Sequence, residues 1–328
     1  MNAYRRSPAH EITVSEEHAE RRLDKFLRSR LKGVPAGVIF RLLRKGAVRV
    51  DGRRAKPDHR LAAGEVISVP ALDLPPPDRV AVPGAVKKAV AGAIVHETAD
   101  LLVLNKPADL AVHVGTGVQA GVIEALRELR PGEELELAHR IDRETSGLLM
   151  VAKRPTMLRH LQEVLRAGDV ERHYLALVRG AYPETLTRID APLLTTDSGV
   201  TVRPDGQDAL THVRVQRRFG RRATLIRAQL ITGRKHQIRV HTSHAGHPIA
   251  GDSRYGDPRF TAEIARLGGR RMFLHAHSLR IPLPDGTLLD VTAPTSPDWD
   301  RTLDRLAGGR RDAPQGPRRT PARRPRRR

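Results

Sequence analysis

Three consecutive prolines, Pro75–Pro77, divide this chain into two unequal parts. Proline has a fixed φ and no backbone N–H, so such a run cannot continue a helix or a sheet ladder. The run predicts a semi-rigid spacer, and a chain of 328 residues is long enough for about two domains. The predicted segments are an N-terminal extension over 1–11, a small domain over 12–71, a linker over 72–89, a larger domain over 90–300 and a disordered basic tail over 301–328.

The overall charge of the chain indicates a polyanionic partner. The formal net charge is +21. Nucleic acid fits this charge better than a membrane does, because the sequence has no apolar run of about 18 residues and no signal-peptide pattern. The sequence also has no cysteine, which excludes disulfides, thiolate catalysis and cysteine-based zinc sites. We therefore expect a cytoplasmic protein that binds RNA or DNA and does not associate with membranes.

The C-terminal tail is the most basic part of the chain. Residues 310–328 contain nine arginines and one aspartate, punctuated by proline and glycine. Such a composition cannot bury a core, so we expect this segment to be disordered. Two interpretations are equally open: a solubilising extension, or a non-specific tether to phosphate groups.

The small domain combines helical and strand patterns with a basic surface. Apolar residues recur at helical spacing over Leu23–Leu31 and Val38–Leu43, whereas Ala47–Val50 and Val66–Val69 read as strands. Helical periodicity leaves the basic residues of the second helix off its apolar face. An amphipathic helical hairpin with a solvated basic face would give the same pattern. The candidate RNA-binding residues are Arg41, Arg44, Lys45, Arg49, Arg53, Arg54 and Lys56.

The larger domain alternates between strand and helix patterns. Leu101–Leu104, Tyr174–Val178 and Ala223–Ile231 read as strands, and helices are predicted from about Val118 to Leu129 and after Pro155. This mixture predicts an α+β domain. The sequence has no G-x-G-x-x-G or Walker motif, so a nucleotide cofactor is not expected.

One segment of the larger domain, His139–Leu149, carries the chemistry. Asp142 lies between two arginines, and a carboxylate beside cations stays ionised and can act as a nucleophile or a base. Thr145–Gly147 predicts a sharp turn, and Leu148–Ala152 predicts a buried strand that holds it. Asp142 could also act only as a capping residue of this turn.

His139–Leu149 resembles the catalytic-loop motif of the RluA-type RNA pseudouridine synthases. Residues 22–27 and 41–52 resemble the S4 RNA-binding module, and with this module in front the likeness is strongest to the RluC type. Other segments resemble motifs of the same family in the same order: Asn105–Pro107, Arg172–Val178, Thr232–His241, Gly246–Asp252 with Tyr255, and Phe273–Ala276. Mild departures from the family pattern are Asp109, Ile141, Glu144, Arg172 and Ala250.

The resemblance implies a fold and a reaction. The fold is the pseudouridine synthase fold, of the α+β class, with a mixed, mainly antiparallel central sheet and flanking helices. A small S4-like αL RNA-binding domain precedes it. The reaction isomerises uridine to pseudouridine in RNA, with large-subunit (23S) ribosomal RNA as the expected substrate. It needs no redox change and no net hydrolysis, so no cofactor is expected. A monomer is the expected state.

The resemblance also assigns roles to individual residues. Asp142 is the catalytic carboxylate, which can attack C1′ or C6 or take the C2′ proton; the sequence does not choose among these. Arg239 pairs with Asp142, and Tyr174 stacks on the target base. Arg140 fills the gap that the flipped uridine leaves, and His139 orients the loop.

A phosphate site is predicted beside these residues. Thr232–Lys235 reads as the end of a strand before a helix, where free N–H groups and the cations Arg234 and Lys235 would bind an anion. His241, His244 and His247 invite comparison with a metal site. Their spacing and the absence of cysteine argue against one, and no metal is expected.

Other functions fit parts of the sequence. The chain could act on transfer RNA, or it could be a non-catalytic S4-type ribosome-assembly factor. A nucleic-acid N-glycosylase would also use a carboxylate and a flipped base. It would need a second acid or base for a water, and Glu144 is the nearest candidate. In an extended loop, Glu144 would point away from Asp142.

Overall fold

The computed structural model describes residues 5–31, 34–74, 81–114 and 120–308. No helix in this part of the chain is long and apolar enough to cross a membrane. The prolines Pro75–Pro77 and the arginine-rich segment 310–328, for which we predicted a spacer and a disordered tail, lie outside the described residues.

The N-terminal part forms a small α/β unit. A four-stranded sheet of order β2-β5-β3-β4 packs against two helices, and β1 pairs with β6 beside it. The elements are β1 Arg5–Ser7, β2 His10–Thr13, a 3-10 turn Glu16–His18, α1 Leu23–Arg30, α2 Ala36–Lys45, β3 Arg49–Val50, β4 Arg53–Arg54, β5 Val66–Val69 and β6 Leu72–Leu74.

The apolar residues that predicted the two helices form the core of this unit. Phe26 and Leu27 of α1 pack with Ile39 and Leu43 of α2, and all four side chains are buried. Helix α2 ends at Gly46, whose φ of 68° suits a residue without a Cβ atom. All seven candidate RNA-binding residues of the unit are exposed, as the helical periodicity predicts for those on α2.

The larger part is built on one ten-stranded sheet. The strands are β7 Ile94–Glu97, β8 Leu101–Lys106, β9 Glu136–Leu137, β10 Ser146–Ala152, β11 Glu171–Arg179, β12 Arg188–Asp190, β15 Leu210–Phe219, β16 Ala223–Leu230, β17 Leu274–Pro282 and β18 Leu288–Thr292; β13 Leu193–Thr196 and β14 Gly199–Val202 form a separate hairpin. The helices are α3 Gly84–Ala91, α4 Val122–Leu129, α5 Pro155–Ala167, α6 Gln237–His244, α7 Pro258–Arg266 and α8 Pro297–Leu306.

The sheet is mainly antiparallel. Its order is β12-β15-β16-β11-β17-β10-β8-β7, with β18 beside β17 and β9 beside β10. Only β10 and β17 pair in parallel among the described strands. The predicted α+β class with a mixed, mainly antiparallel sheet and flanking helices is therefore confirmed.

The middle of the sheet separates two apolar cores. Along β10, Leu148 and Met150 enter one core, whereas Leu149 and Val151 enter the other. Every residue of this strand is buried, as expected for a strand covered on both faces. The predicted buried strand Leu148–Ala152 thus lies in the middle of the molecule, where it anchors the loop that precedes it.

Several elements cross the segment boundaries that the sequence suggested. The proposed linker 72–89 contains β6 and the start of α3, because β6 pairs with the N-terminal extension. The boundary at residue 300 falls inside α8, which continues to Leu306 because Trp299 and Leu303 pack into the main core. The described part of the helix predicted from about Val118 begins at Val122.

Candidate active site

The segment between β9 and β10 forms a tight turn at Asp142. The N–H of Thr145 donates to the carbonyl of Asp142 at 3.2 Å. The turn lies earlier than the predicted Thr145–Gly147, because Ser146 and Gly147 already belong to β10 and pair with β17. Gly147 has a φ of 104°, and a Cβ atom there would overlap the backbone of Ala276. This close approach of two strands fixes the end of the Asp142 turn.

The buried side chain of Lys106 hydrogen-bonds to the same turn. The ammonium of Lys106 donates to the carbonyls of Pro107 and Leu110 at 2.8 Å, and to the carbonyl of Arg143 at 3.0 Å. The side chain is fully buried, and burial lowers its pKa to about 7. Because one of its acceptors directly follows Asp142, Lys106 ties the turn to the end of β8.

Arg239 of α6 joins two carboxylates. Its Nε and Nη2 donate to Asp252 at 2.7 and 2.8 Å, and its Nη1 donates to Oδ2 of Asp142 at 2.9 Å. The side chain of Arg239 is 3% exposed and that of Asp252 is 1% exposed, whereas that of Asp142 is 20% exposed. Oδ2 of Asp142 is thus bound to the guanidinium of Arg239, while the side chain of Asp142 remains partly accessible to a ligand.

The electrostatics of this trio favour charged groups. Burial by itself lowers the pKa of Arg239, but the bonds to Asp252 and Asp142 outweigh it and raise that pKa. Burial alone would raise the pKa of Asp252, yet Arg239 and two backbone N–H groups lower it. The buried pair is therefore ionised, which stabilises a permanent cation beside Asp142.

A second polar group approaches the other oxygen of Asp142. Nε2 of His236 lies 3.7 Å from Oδ1 of Asp142, and its Nδ1 lies 2.8 Å from the hydroxyl of Tyr255. Burial lowers the pKa of His236, although Asp142 partly opposes this effect. The ring of Tyr255 also lies against Arg239, with 5.3 Å from the guanidinium carbon to the ring centroid.

Asp142 opens into a cavity of about 280 Å³. Tyr174 of β11 lines the same cavity and is buried. Burial raises the pKa of this phenol to about 12, and the charge of Asp142 adds to the effect although Arg172 opposes it. The hydroxyl is therefore neutral at physiological pH, and the cavity presents a carboxylate and an aromatic ring to one small ligand.

His139 joins the Asp142 segment to β10 by a hydrogen bond. Its Nε2 accepts a hydrogen bond from the N–H of Met150 at 3.0 Å. Burial lowers the pKa of His139 to about 4, so the ring is neutral and its free nitrogen can accept. Arg140 is exposed at the edge of the cavity, and it forms no ion pair with any residue that the structure describes.

The predicted phosphate-binding residues do not all reach the site. Arg234 lines the cavity, and its Nε donates to the carbonyl of Asp208 at 2.9 Å. Lys235 is exposed and is not among the residues that line the cavity. The helix begins at Gln237, after His236 with a φ of 54°. The basic residues of the small unit, from Arg41 to Lys56, also lie outside the lining of this cavity.

Glu144 is closer to the site than an extended loop would place it. Its carboxylate lies 3.8 Å from Nη1 of Arg239, because the chain turns at Asp142. The extended loop in which Glu144 would point away from Asp142 is therefore not formed. Its side chain is 39% exposed and does not line the cavity.

Two of the three histidines near α6, His241 and His247, have structural contacts. The ring nitrogens of His241 bond to Thr211 at 2.9 Å and to the carbonyl of Ala191 at 3.0 Å. His247 bonds through Nδ1 to the carbonyl of Arg179 at 2.8 Å. Within the described ranges, no group of three or more histidine, aspartate or glutamate side chains could hold a metal ion.

Sequence reasoning assigned no role to four residues that build the site: Lys106, Asp252, His236 and Tyr255. All four stand in segments that carried the family resemblance, and His236 also directly follows the predicted phosphate loop. The sequence near Arg239 carries no signal of these contacts, since no acidic residue lies between Asp208 and Asp252. Their partners are distant in the chain, so spacing alone could not pair them.

Comparison with known proteins places these features in a family. A family model described as RNA pseudouridylate synthase matches residues 100–244, and a model of the S4 domain matches residues 21–67. The ribosomal large subunit pseudouridine synthase C of Vibrio vulnificus is 44% identical over 306 residues, which cover 91% of this chain and 97% of that protein. The protein of the same name from Escherichia coli K12 is 43% identical over 310 residues, with the same shares covered.

Solved structures agree with these matches. Human RNA pseudouridylate synthase domain containing 4 has a TM-score of 0.57 and 26% identity, covering 68% of this chain and 95% of that chain. Human RNA pseudouridylate synthase domain containing 1 has a TM-score of 0.55 and 27% identity, covering 71% and 99%.

Proposed function

The chain belongs to the RNA pseudouridylate synthase family, and from this premise we propose that it isomerises uridine in large-subunit ribosomal RNA with Asp142 as the catalytic carboxylate. The observation that carries the proposal is the position of Asp142, on a turn held by Lys106 and Gly147, bonded to Arg239 and open to the cavity of Tyr174. Members of this family are isomerases, so the reaction rearranges one nucleoside without a second substrate.

The chemistry sets three tasks for the residues of the cavity. The N1–C1′ bond breaks, C5 bonds to C1′, and the proton that leaves C5 balances the one that N1 gains. Asp142 can attack the sugar or base, or accept the C2′ proton, and each role requires its ionised form. Arg239 supports that form by its bond to Oδ2, while Asp252 holds the guanidinium in place.

The target uridine must leave its stack to enter the cavity. In the proposed complex its base lies on the ring of Tyr174, whose neutral hydroxyl can share a hydrogen bond with it. Arg140 is exposed beside the cavity and has no acidic partner among the described residues, which supports its insertion into the gap left by the base. His139 keeps this loop attached to β10.

The substrate proposal rests on the relatives and on the small N-terminal unit. The bacterial relatives are named for the large ribosomal subunit. The S4 domain contributes seven exposed cations, and none of them forms an ion pair with a described residue. They supply salt-dependent, largely sequence-independent affinity for RNA. We propose that the enzyme acts in the cytoplasm, where this RNA occurs, and as a monomer, because Asp142, Arg239 and Tyr174 of the same chain already converge on the cavity.

The test is pseudouridine mapping on ribosomal and transfer RNA, read as carbodiimide-dependent primer-extension stops. Wild-type protein should create new stops in large-subunit ribosomal RNA, and Asp142→Asn should lower turnover by more than about a thousandfold. RNA binding by this variant should stay nearly unchanged, because the side-chain volume is kept. Asp197→Asn, on the exposed turn between β13 and β14, is the matched control and should retain full activity.

Each other outcome has a clear meaning. Full turnover by Asp142→Asn would remove Asp142 from the reaction. Stops in transfer RNA alone would replace the ribosomal substrate with a transfer RNA. Tight binding to both RNAs without any stop would favour a non-catalytic assembly factor.

A further inference from the structure

A second cavity adjoins the one that contains Asp142. Its volume is about 540 Å³, and its lining shares His139, Arg172, Gly233 and Arg234 with the first cavity. A nucleotide chain whose uridine occupies the first cavity therefore meets the second within one or two residues. None of the roles proposed for Asp142, Arg239 and Tyr174 requires this second cavity.

The second cavity is cationic. Arg166 of α5, Arg172 of β11 and Arg234 line it, and no aspartate or glutamate is among its described lining residues. None of these three arginines forms an ion pair within the described ranges. Cations that converge on a concave surface without acidic partners favour an anionic ligand.

Arg172 is the least satisfied of the three arginines. Its Nε is buried without a hydrogen-bond partner among the described atoms, and its Nη2 makes only a long bond of 3.4 Å to the carbonyl of Leu230. Burial lowers the pKa of Arg172, and the nearby Tyr174 opposes this only as a weak acid. A partly buried cation without a carboxylate costs free energy, which a bound anion would recover.

Gly233 creates the room for this arginine. A Cβ atom at Gly233 would lie 2.8 Å from Nη1 of Arg172, so the guanidinium rests against bare backbone between the two cavities. Leu165 and Ile231 add an apolar wall to the second cavity, and Ile231 is 38% exposed. The cavity thus offers a forked cation and an apolar surface side by side, which suits a phosphate and the base attached to it.

We propose that the second cavity binds the nucleotide next to the target uridine, with Arg172 and Arg234 on its phosphate and Leu165 and Ile231 against its base. This inference rests on the proposed function, because it assigns a neighbour to the uridine in the first cavity. It makes Arg172 a positioning residue that fixes the register of the RNA on the enzyme.

The test pairs a change in the protein with a change in the RNA. The RNA is a synthetic stem-loop that contains the mapped uridine, with a neutral methylphosphonate replacing each neighbouring phosphate in turn. At one linkage, the methylphosphonate should weaken binding by wild-type protein roughly tenfold. Arg172→Met should weaken binding of the unmodified RNA by a similar factor, raising KM more than it lowers kcat, and should show no further loss with that methylphosphonate.

Two more variants make the test specific. Gly233→Ala keeps every charge but displaces the guanidinium of Arg172, so it should reproduce the effect of Arg172→Met. Arg221→Met removes the same charge at the exposed turn between β15 and β16, at the end of β16 away from the cavity, and should keep the full methylphosphonate effect.

The inference is overturned if every methylphosphonate weakens wild-type protein and Arg172→Met equally. Failure of the proposed function has a different signature, since wild-type protein would then not convert the uridine of the unmodified stem-loop. If Arg221→Met weakens binding of the unmodified RNA as much as Arg172→Met does, the effect is one of overall charge and the cavity is not the site.

Discussion

At the scale of single residues, the orientation of Arg239 decides how Asp142 is presented. Asp252 occupies Nε and Nη2 of the planar guanidinium, which leaves Nη1 for Asp142. A lysine has no such fork and could not hold both carboxylates at fixed angles. The buried Asp252 therefore acts on the site through Arg239, although it does not line the cavity.

The half-buried His139 predicts an acid-sensitive loop. Its pKa in the folded protein is about 4, below the ordinary 6.5, so between these values the unfolded chain binds a proton that the folded protein does not. The free energy of unfolding should therefore fall as the pH decreases from 6.5 to 4, by about 3 kcal/mol from this residue. His139→Gln keeps an acceptor for the N–H of Met150 without titrating, so it should lose less stability in acid.

Urea unfolding at pH 7 and pH 4 measures this effect. The difference in unfolding free energy between wild type and His139→Gln should shrink by about 3 kcal/mol on acidification. His212→Gln, which removes an exposed histidine on β15, should follow wild type at both pH values. A constant difference between wild type and His139→Gln would contradict the role of burial.

At the scale of elements, the parallel contact between β10 and β17 fixes the Asp142 turn. Ser146 pairs with His275 and Gly147 with Ala276. Ser146 also accepts a hydrogen bond from Arg271 and lies 2.8 Å from Nδ1 of His275. The first residues of β10 are thus attached to β17 by backbone and side-chain contacts, and the turn that ends there has little freedom.

Gly147→Ala should break this contact. The new methyl group would overlap the backbone of Ala276, which no rotamer change relieves, so we expect a loss of at least about 3 kcal/mol in stability and a large loss of turnover. Gly132→Ala is the control, because its φ of 103° matches the 104° of Gly147 and it has open space around it. It should cost only about 1–2 kcal/mol.

Thermal unfolding and turnover of the two variants distinguish the cost of an alanine at positive φ from the cost of the steric overlap with Ala276. Equal losses for Gly147→Ala and Gly132→Ala would mean that only the backbone conformation matters. The close approach of β10 and β17 would then have no role in placing Asp142.

At the scale of the whole molecule, the S4 domain contacts the segment that leads to the active site. Glu134 lies 3.1 Å from Nε2 of His18 and 2.9 Å from Nη1 of Arg30. Glu136, the first residue of β9, lies 3.4 Å from Nη2 of Arg21. Both glutamates precede Asp142 by fewer than ten residues, so docking of the S4 domain bears on the segment that carries Asp142.

Glu134→Lys should loosen this docking. A lysine beside Arg30 replaces attraction by repulsion, so the radius of gyration from small-angle scattering should increase. KM for RNA should rise by about fivefold to tenfold. Glu163→Lys makes the same charge change at an exposed position of α5 and should leave the radius unchanged. An unchanged radius in Glu134→Lys would show that these ion pairs do not hold the domains together.

The sequence by itself determined the local elements and the chemistry they can carry. A continuous apolar run predicted the buried strand of Leu148–Ala152, and helical apolar spacing predicted the paired helices of the S4 domain, because these patterns report which faces of an element are covered. The motif around Asp142 and the order of the other motifs indicated the family. Apolar patterns and short motifs involve only a few neighbouring residues, so the sequence alone is enough to recognise them.

Apart from the pairing of Asp142 with Arg239, which the family resemblance implied, only the tertiary structure decided which of these residues meet. Asp142 and Arg239 are 97 residues apart in sequence, and Asp252 and Lys106 come from other elements again. Their contacts depend on the order and register of ten strands, which local patterns do not specify. The second cavity arises in the same way, since its arginines reach one space from α5, β11 and the loop before α6. Ion pairs and cavities are properties of the packed chain, because they depend on distances in space rather than along the sequence.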